Sequence, residues 1–229
     1  MIDELTEDER AMVELVRDFV NREVRPTARE LEHANTYPDK LIEQMKQLGI
    51  YGVAIPEPWG DAQVSTPCYA RITEELSRGW MSLAGAMGGH TVVAKLLLAF
   101  GTPEQKDAYL PRMATGELRA TMALTEPGGG SDLQAMRTVA RRDGDGYVVN
   151  GSKMWITNAR RSGLTALLSK TDPAAKPAHA GISILLAEPG PGFTVSRDLP
   201  KLGYKGVESC ELVFEDYRVP ASALLGGTR

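Results

Sequence analysis

The chain has 229 residues, 42% of them hydrophobic and 24% charged, with 26 basic against 30 acidic side chains and a net charge of −4. That length holds one large core or two modest ones, and the acidic balance argues against a nucleic-acid surface, which needs clustered Lys and Arg. Cys68 and Cys210 have neither metal-ligand nor redox spacing, so the expectation is reduced thiols of the cytoplasmic type and no metal site.

The N-terminus is acidic through Glu9, the opposite of a signal or transit peptide. Thr6 and Glu9 form a capping box, and Met12, Val16, Phe19, Val20 and Val24 then follow as one apolar helical stripe. A second helix is predicted from Pro38 through Leu41, Met45 and Leu48 to a stop at Gly49. Cys68, Ile72 and Leu76 mark a third. The apolar stretch Ser82–Phe100 is interrupted by Gly85, Gly88, Gly89, His90 and Lys95, which reads as a buried helix of a soluble protein rather than a span. Thr102-Pro103-Glu104-Gln105 is another capping box and opens a helix ending near Gly116. Short connections between these helices predict a helical bundle domain over residues 1–120.

The pattern changes near Thr121. Short β-rich runs are predicted at residues 138–142, 147–150, 153–157, 164–170, 182–188, 193–197 and 211–219, separated by turn chemistry at Asp143–Gly146 and Asn150-Gly151. Their spacing is that of an antiparallel sandwich or barrel over residues 121–229. The fold class expected is therefore α+β, with residues 171–180 as an exposed loop.

Three segments carry candidate chemistry. In Leu124-Thr125-Glu126-Pro127-Gly128-Gly129-Gly130-Ser131-Asp132, consecutive glycines strip side chains from a turn, so backbone amides can approach a ligand, and Ser131 adds a hydroxyl. It is neither a Walker loop nor a dinucleotide fingerprint, and alone it is more often a structural turn. In Asn150-Gly151-Ser152-Lys153-Met154-Trp155-Ile156-Thr157-Asn158, the Asn-Gly pair predicts a hairpin, and period two places Trp155 and Thr157 on one face with Met154 and Ile156 on the other. An aromatic plane with a hydroxyl two residues on suits a heteroaromatic ring, although a Trp buried between domains would give the same pattern. In Lys201–Ser209, Lys205 could meet a phosphate, against the default of a solvated lysine.

In combination and order, these segments closely resemble the acyl-CoA dehydrogenase family, as do Phe100–Lys106 with Tyr109-Leu110-Pro111, and Leu48–Val53 with Pro56, Glu57 and Gly60. The resemblance spans essentially the whole chain. It implies an FAD-dependent α,β-dehydrogenation of an acyl-CoA to a trans-2-enoyl-CoA, with electrons passed to an electron-transferring flavoprotein. It implies that Met122, Ala123, Leu124, Thr125, Gly130 and Ser131 line the flavin, that Ser131 also meets the acyl-CoA, and that Trp155, Ile156 and Thr157 lie against the ring. Gly129 stands where many relatives have Ala. After Pro220 the family continues into a helical bundle that carries the catalytic Glu, and none of the Glu residues here matches that motif. The expectation is a truncated chain, of dimeric or tetrameric type when complete, whose uncovered apolar face limits solubility. The alternatives are a flavin- or acyl-CoA-binding subunit that needs a partner's base, and a structural remnant binding neither.

Overall fold

The computed structural model describes residues 5–61 and 63–227. The Thr6 hydroxyl accepts the Glu9 amide and the Glu9 carboxylate accepts the Thr6 amide, so the capping box starts α1, Glu7–Phe19. The helix continues beyond Phe19. One π-turn, Val20–Val24, carries it into α2, Arg25–His33, and the insertion keeps Val16, Phe19, Val20 and Val24 all buried. Helix α3 spans Asp39–Gln47. Helix α4, Thr66–Phe100, is capped by Ser65 and unites what the sequence pattern divides into two segments, with a kink at Trp80, where φ is −161° and ψ 112°. By length and composition α4 could cross a membrane. Its Ile72, Leu76, Leu83, Met87, Val93 and Leu97 are instead fully buried in the protein core, whereas Met81 and Val92 are exposed. Thr102 and Gln105 cap α5, Pro103–Ala114.

Seven strands follow among the described residues: β1 Ala120–Ala123, β2 Val139–Asp143, β3 Gly146–Thr157, β4 Leu164–Lys170, β5 Ile182–Ala187, β6 Phe193–Asp198 and β7 Ser209–Pro220. Their order is β1-β4-β2-β3-β7-β6, with β5 paired to β4. The sheet is mixed rather than purely antiparallel, because β4 runs parallel to β1 and meets β2 in parallel at Lys170 and Val139. The cause is a strand too short to read from sequence. β1 is four residues of Ala, Thr and Met, and the chain completes β2 and β3 before β4 crosses back beside it.

Asn150-Gly151 makes no hairpin, which corrects the turn expected there. β3 runs straight through it, and the register against β7 slips between Val149 and Gly151. Asn150 Nδ2 donates to Asp216 Oδ1 (3.0 Å) and Asn150 Oδ1 accepts the Asp216 backbone amide (3.0 Å), so turn chemistry is spent on a bulge facing another strand. A cluster of Val93, Leu97, Leu110 and Met113 with Ala120, Leu164 and Leu186 joins α4 and α5 to the sheet. A separate core fills the sheet's other side with Tyr147, Leu167, Leu185, Leu212 and Phe214.

Candidate functional site

β1 and the end of β3 lie alongside each other. Thr121 Oγ1 donates to the Thr157 carbonyl (2.7 Å), and the Met154 amide donates to the Thr125 carbonyl (2.8 Å). These bonds bring Met122, Ala123, Leu124 and Thr125 beside Trp155, Ile156 and Thr157. Ala123 and Ile156 are buried. Met122, Leu124, Thr125, Gly130 and Thr157 are half-buried, and Ser131 is exposed. Trp155 is 51% exposed, unusual for so large an apolar surface.

The alternation assigned to Met154–Thr157 does not hold. Register slips between Lys153 and Ile156, and Trp155 sits at φ 62°. A residue inserted as a bulge resets the period, so Lys153 and Ile156 are the buried pair and Trp155 is turned outward. The left-handed region costs a bulky L-residue roughly 1–3 kcal/mol, and such strain persists only where surrounding structure enforces it.

The glycine turn is built on Glu126. Its amide and carbonyl exchange hydrogen bonds with Gly129 (2.9 and 3.1 Å), while Gly128 and Gly129 face open space in which an added methyl would meet no atom within 4 Å. The Glu126 carboxylate turns inward and accepts from the amides of Arg137 (2.6 Å) and Thr138 (3.0 Å) and from Lys153 Nζ (2.9 Å). Lys153 Nζ also donates to the Leu124 carbonyl (3.0 Å), and its side chain is completely buried. Burial by itself would raise the Glu126 pKa, but the hydrogen bonds outweigh it and hold the carboxyl below its ordinary value. Burial pulls the Lys153 ammonium down, opposed by Glu126. Lys153 was not singled out by sequence reasoning. The available signal was an acid and a lysine each adjoining apolar segments, which burial obliges to pair.

Lys205 lies elsewhere. It lines a cleft of about 560 Å³ with Tyr37, Arg160, Arg161, Asp198 and Glu208, away from the glycine turn. Its backbone amide donates to Glu32 (2.8 Å), and burial raises the pKa of Glu208. The two cysteines are buried thiols, Cys68 pushed up to about 11 and Cys210 to about 12 by burial.

A half-open aromatic plane, hydroxyls at Thr125 and Thr157, and a bare glycine turn beyond them fit a flat heteroaromatic ring with a phosphate-bearing tail. The N-terminal and middle domains of acyl-CoA dehydrogenase match residues 6–117 and 121–217 respectively. The chain belongs to the acyl-CoA dehydrogenase family. A relative in this family, the mitochondrial isovaleryl-CoA dehydrogenase of Pongo abelii, is 34% identical over 98% of this chain and 54% of its own length. The crystal structure of acyl-CoA dehydrogenase from Geobacillus kaustophilus superposes with a TM-score of 0.91 at 39% identity, covering 97% of this chain and 59% of that one. A glutaryl-CoA dehydrogenase from Mycobacterium smegmatis, solved in complex with FADH2, superposes with a TM-score of 0.88 at 32% identity, over 98% of this chain and 57% of that one. The chain thus spans little more than half the length of these acyl-CoA dehydrogenases.

Proposed function

We propose that this chain forms the flavin- and thioester-facing part of an FAD-dependent acyl-CoA dehydrogenase that converts an acyl-CoA to its trans-2-enoyl-CoA. The observation that carries the reading is Trp155, held half-exposed on a strained bulge beside a glycine turn whose outer side is empty. FAD, when bound, supplies the acceptor for the hydride leaving the substrate β-carbon. Trp155 packs beside the ring system, Thr125 and Thr157 offer it hydroxyls, and Met122 and Leu124 supply apolar contact. Ser131, which is exposed, is the residue proposed to meet both the cofactor and the thioester ligand.

Glu126 is not the base in this scheme. Its carboxylate is occupied by three donors and held below its ordinary pKa, so it is a poor acceptor for a substrate α-proton. In this reading the proton is taken by a carboxylate other than Glu126, supplied by another segment or subunit. An electron-transferring flavoprotein is the proposed electron acceptor, a homo-oligomer the proposed assembly, and the cytoplasm the proposed location.

The test is a titration of the purified chain with FAD. Binding should give a resolved flavin absorption band and quench tryptophan emission, and most of the quenching should vanish in Trp155→Phe. A chain that remains colourless and unquenched after refolding with FAD would sink the proposal.

A further inference from the structure

A fully buried ammonium is tolerated only when it is paired and hydrogen-bonded, and the partners of Lys153 all belong to one loop. At the loop's entry, Lys153 Nζ takes the Leu124 carbonyl and the adjoining Met154 amide takes the Thr125 carbonyl. At its exit, the Glu126 carboxylate takes the amides of Arg137 and Thr138. The excursion between them, residues 127–136, contains only one short 3₁₀ turn at Leu133–Ala135, and its residues are mostly exposed. Inside the excursion only Met136 is buried and the glycine turn is closed on itself by the two Glu126–Gly129 backbone bonds, so fastening the loop's two ends to the sheet falls to the ion pair at its base.

Resting on the flavin reading above, we propose that Glu126 and Lys153 are positioning residues: their ion pair sets the glycine turn in its binding shape before the cofactor arrives, and places no net buried charge beneath it. Preorganisation of this kind strengthens binding by removing an ordering cost that the ligand would otherwise bear. Neutrality matters because a lone buried charge acts on a nearby redox group through a medium of low dielectric. With the two charged groups 2.9 Å apart, their fields largely cancel.

The test compares the chain with its Lys153→Met, Glu126→Gln and Lys153→Met/Glu126→Gln variants. In the cofactor-free chain, amide exchange across residues 124–131 should quicken at least tenfold in each variant while α1 to α3 keep wild-type rates. The dissociation constant for FAD should rise at least tenfold. In the flavin-loaded protein, Lys153→Met should lower the flavin reduction potential, because it strands a carboxylate beside the site. The double variant should return the potential toward wild type although its turn still exchanges fast. A purely structural role would leave the double variant no higher in potential than the single, and that result, or unchanged exchange in the turn, overturns the proposal. If Lys153→Met fails to fold, Glu126→Gln decides the exchange arm. If the wild-type chain takes up no FAD, the flavin reading falls and the exchange measurement still decides the clamp.

Discussion

Gly151 shows how a single residue can defeat a local rule. Asn-Gly between apolar runs is a strong hairpin signal because both residues accept positive φ. Here Gly151 adopts φ 151° within a continuous strand, and a Cβ on it would lie 2.5 Å from Thr138 Oγ1 and 2.7 Å from Thr138 Cα. The glycine is required by the close approach of Thr138, the residue just before β2, a tertiary fact invisible to a dipeptide. Gly151→Ala should therefore destabilise the chain by about 1–3 kcal/mol through overpacking and strain, measured as a lower urea midpoint with unchanged slope. An unaltered midpoint would show that Thr138 can yield. Trp155 teaches the same lesson from the other side. Its proximity to Thr157 was legible as a motif, but its outward orientation depends on a bulge that period-two reasoning cannot anticipate.

At the scale of elements, helix starts were the most legible features, since Thr6 with Glu9 and Thr102 with Gln105 close the reciprocal bonds that their spacing predicts. Capping is local, so it survives the absence of tertiary information. The extent of α4 was less legible because glycines and a histidine interrupt its apolar run, and only packing on both the helices and β1 shows why they are tolerated. β1 was missed, and with it the parallel pairing. The turn after β1 was recognised, but not the carboxylate beneath it. Glu126 has a folded-state pKa below its usual 4.5, so its hydrogen bonds are fully present above that value and are lost as pH falls through the folded pKa. Acidification below about pH 4.5 should therefore loosen the turn before the helices melt. The change should read out as faster amide exchange at residues 124–131. Glu126→Gln, which has no such titration, should exchange fast already at neutral pH and change little on acidification. A wild-type turn that stays protected down to the pH of global unfolding would refute this.

At the scale of the whole molecule, the helical and β parts are joined by polar bonds as well as by the shared apolar cluster. His90, in the middle of α4, is 99% buried. Its Nδ1 accepts the Ala120 amide at the start of β1 (3.4 Å), and its Nε2 lies 3.2 Å from the Tyr51 carbonyl, with the Tyr51 ring edge-on at 5.1 Å. An acceptor at Nδ1 and a donor at Nε2 together require the neutral imidazole with its hydrogen on Nε2. Burial enforces that form and lowers the pKa from 6.5 to about 4, outweighing the Tyr51 and Met113 carbonyls that favour the cation. The unfolded chain thus binds a proton at His90 between pH 6.5 and about 4 that the folded chain refuses, so stability contributed here is present above 6.5 and declines as pH falls through that window. The expected loss between pH 7 and pH 5 is about 2 kcal/mol from this residue alone. Other groups titrate over the same range, so the informative quantity is a difference between proteins. His90→Gln can keep a donor toward Tyr51 but cannot titrate. Urea denaturation at the two pH values should show the wild type losing about 2 kcal/mol more than this variant, even though the variant is less stable at pH 7. Equal losses would mean that His90 is hydrated or charged in the folded chain, and that the junction between α4 and β1 is looser than its bond lengths imply.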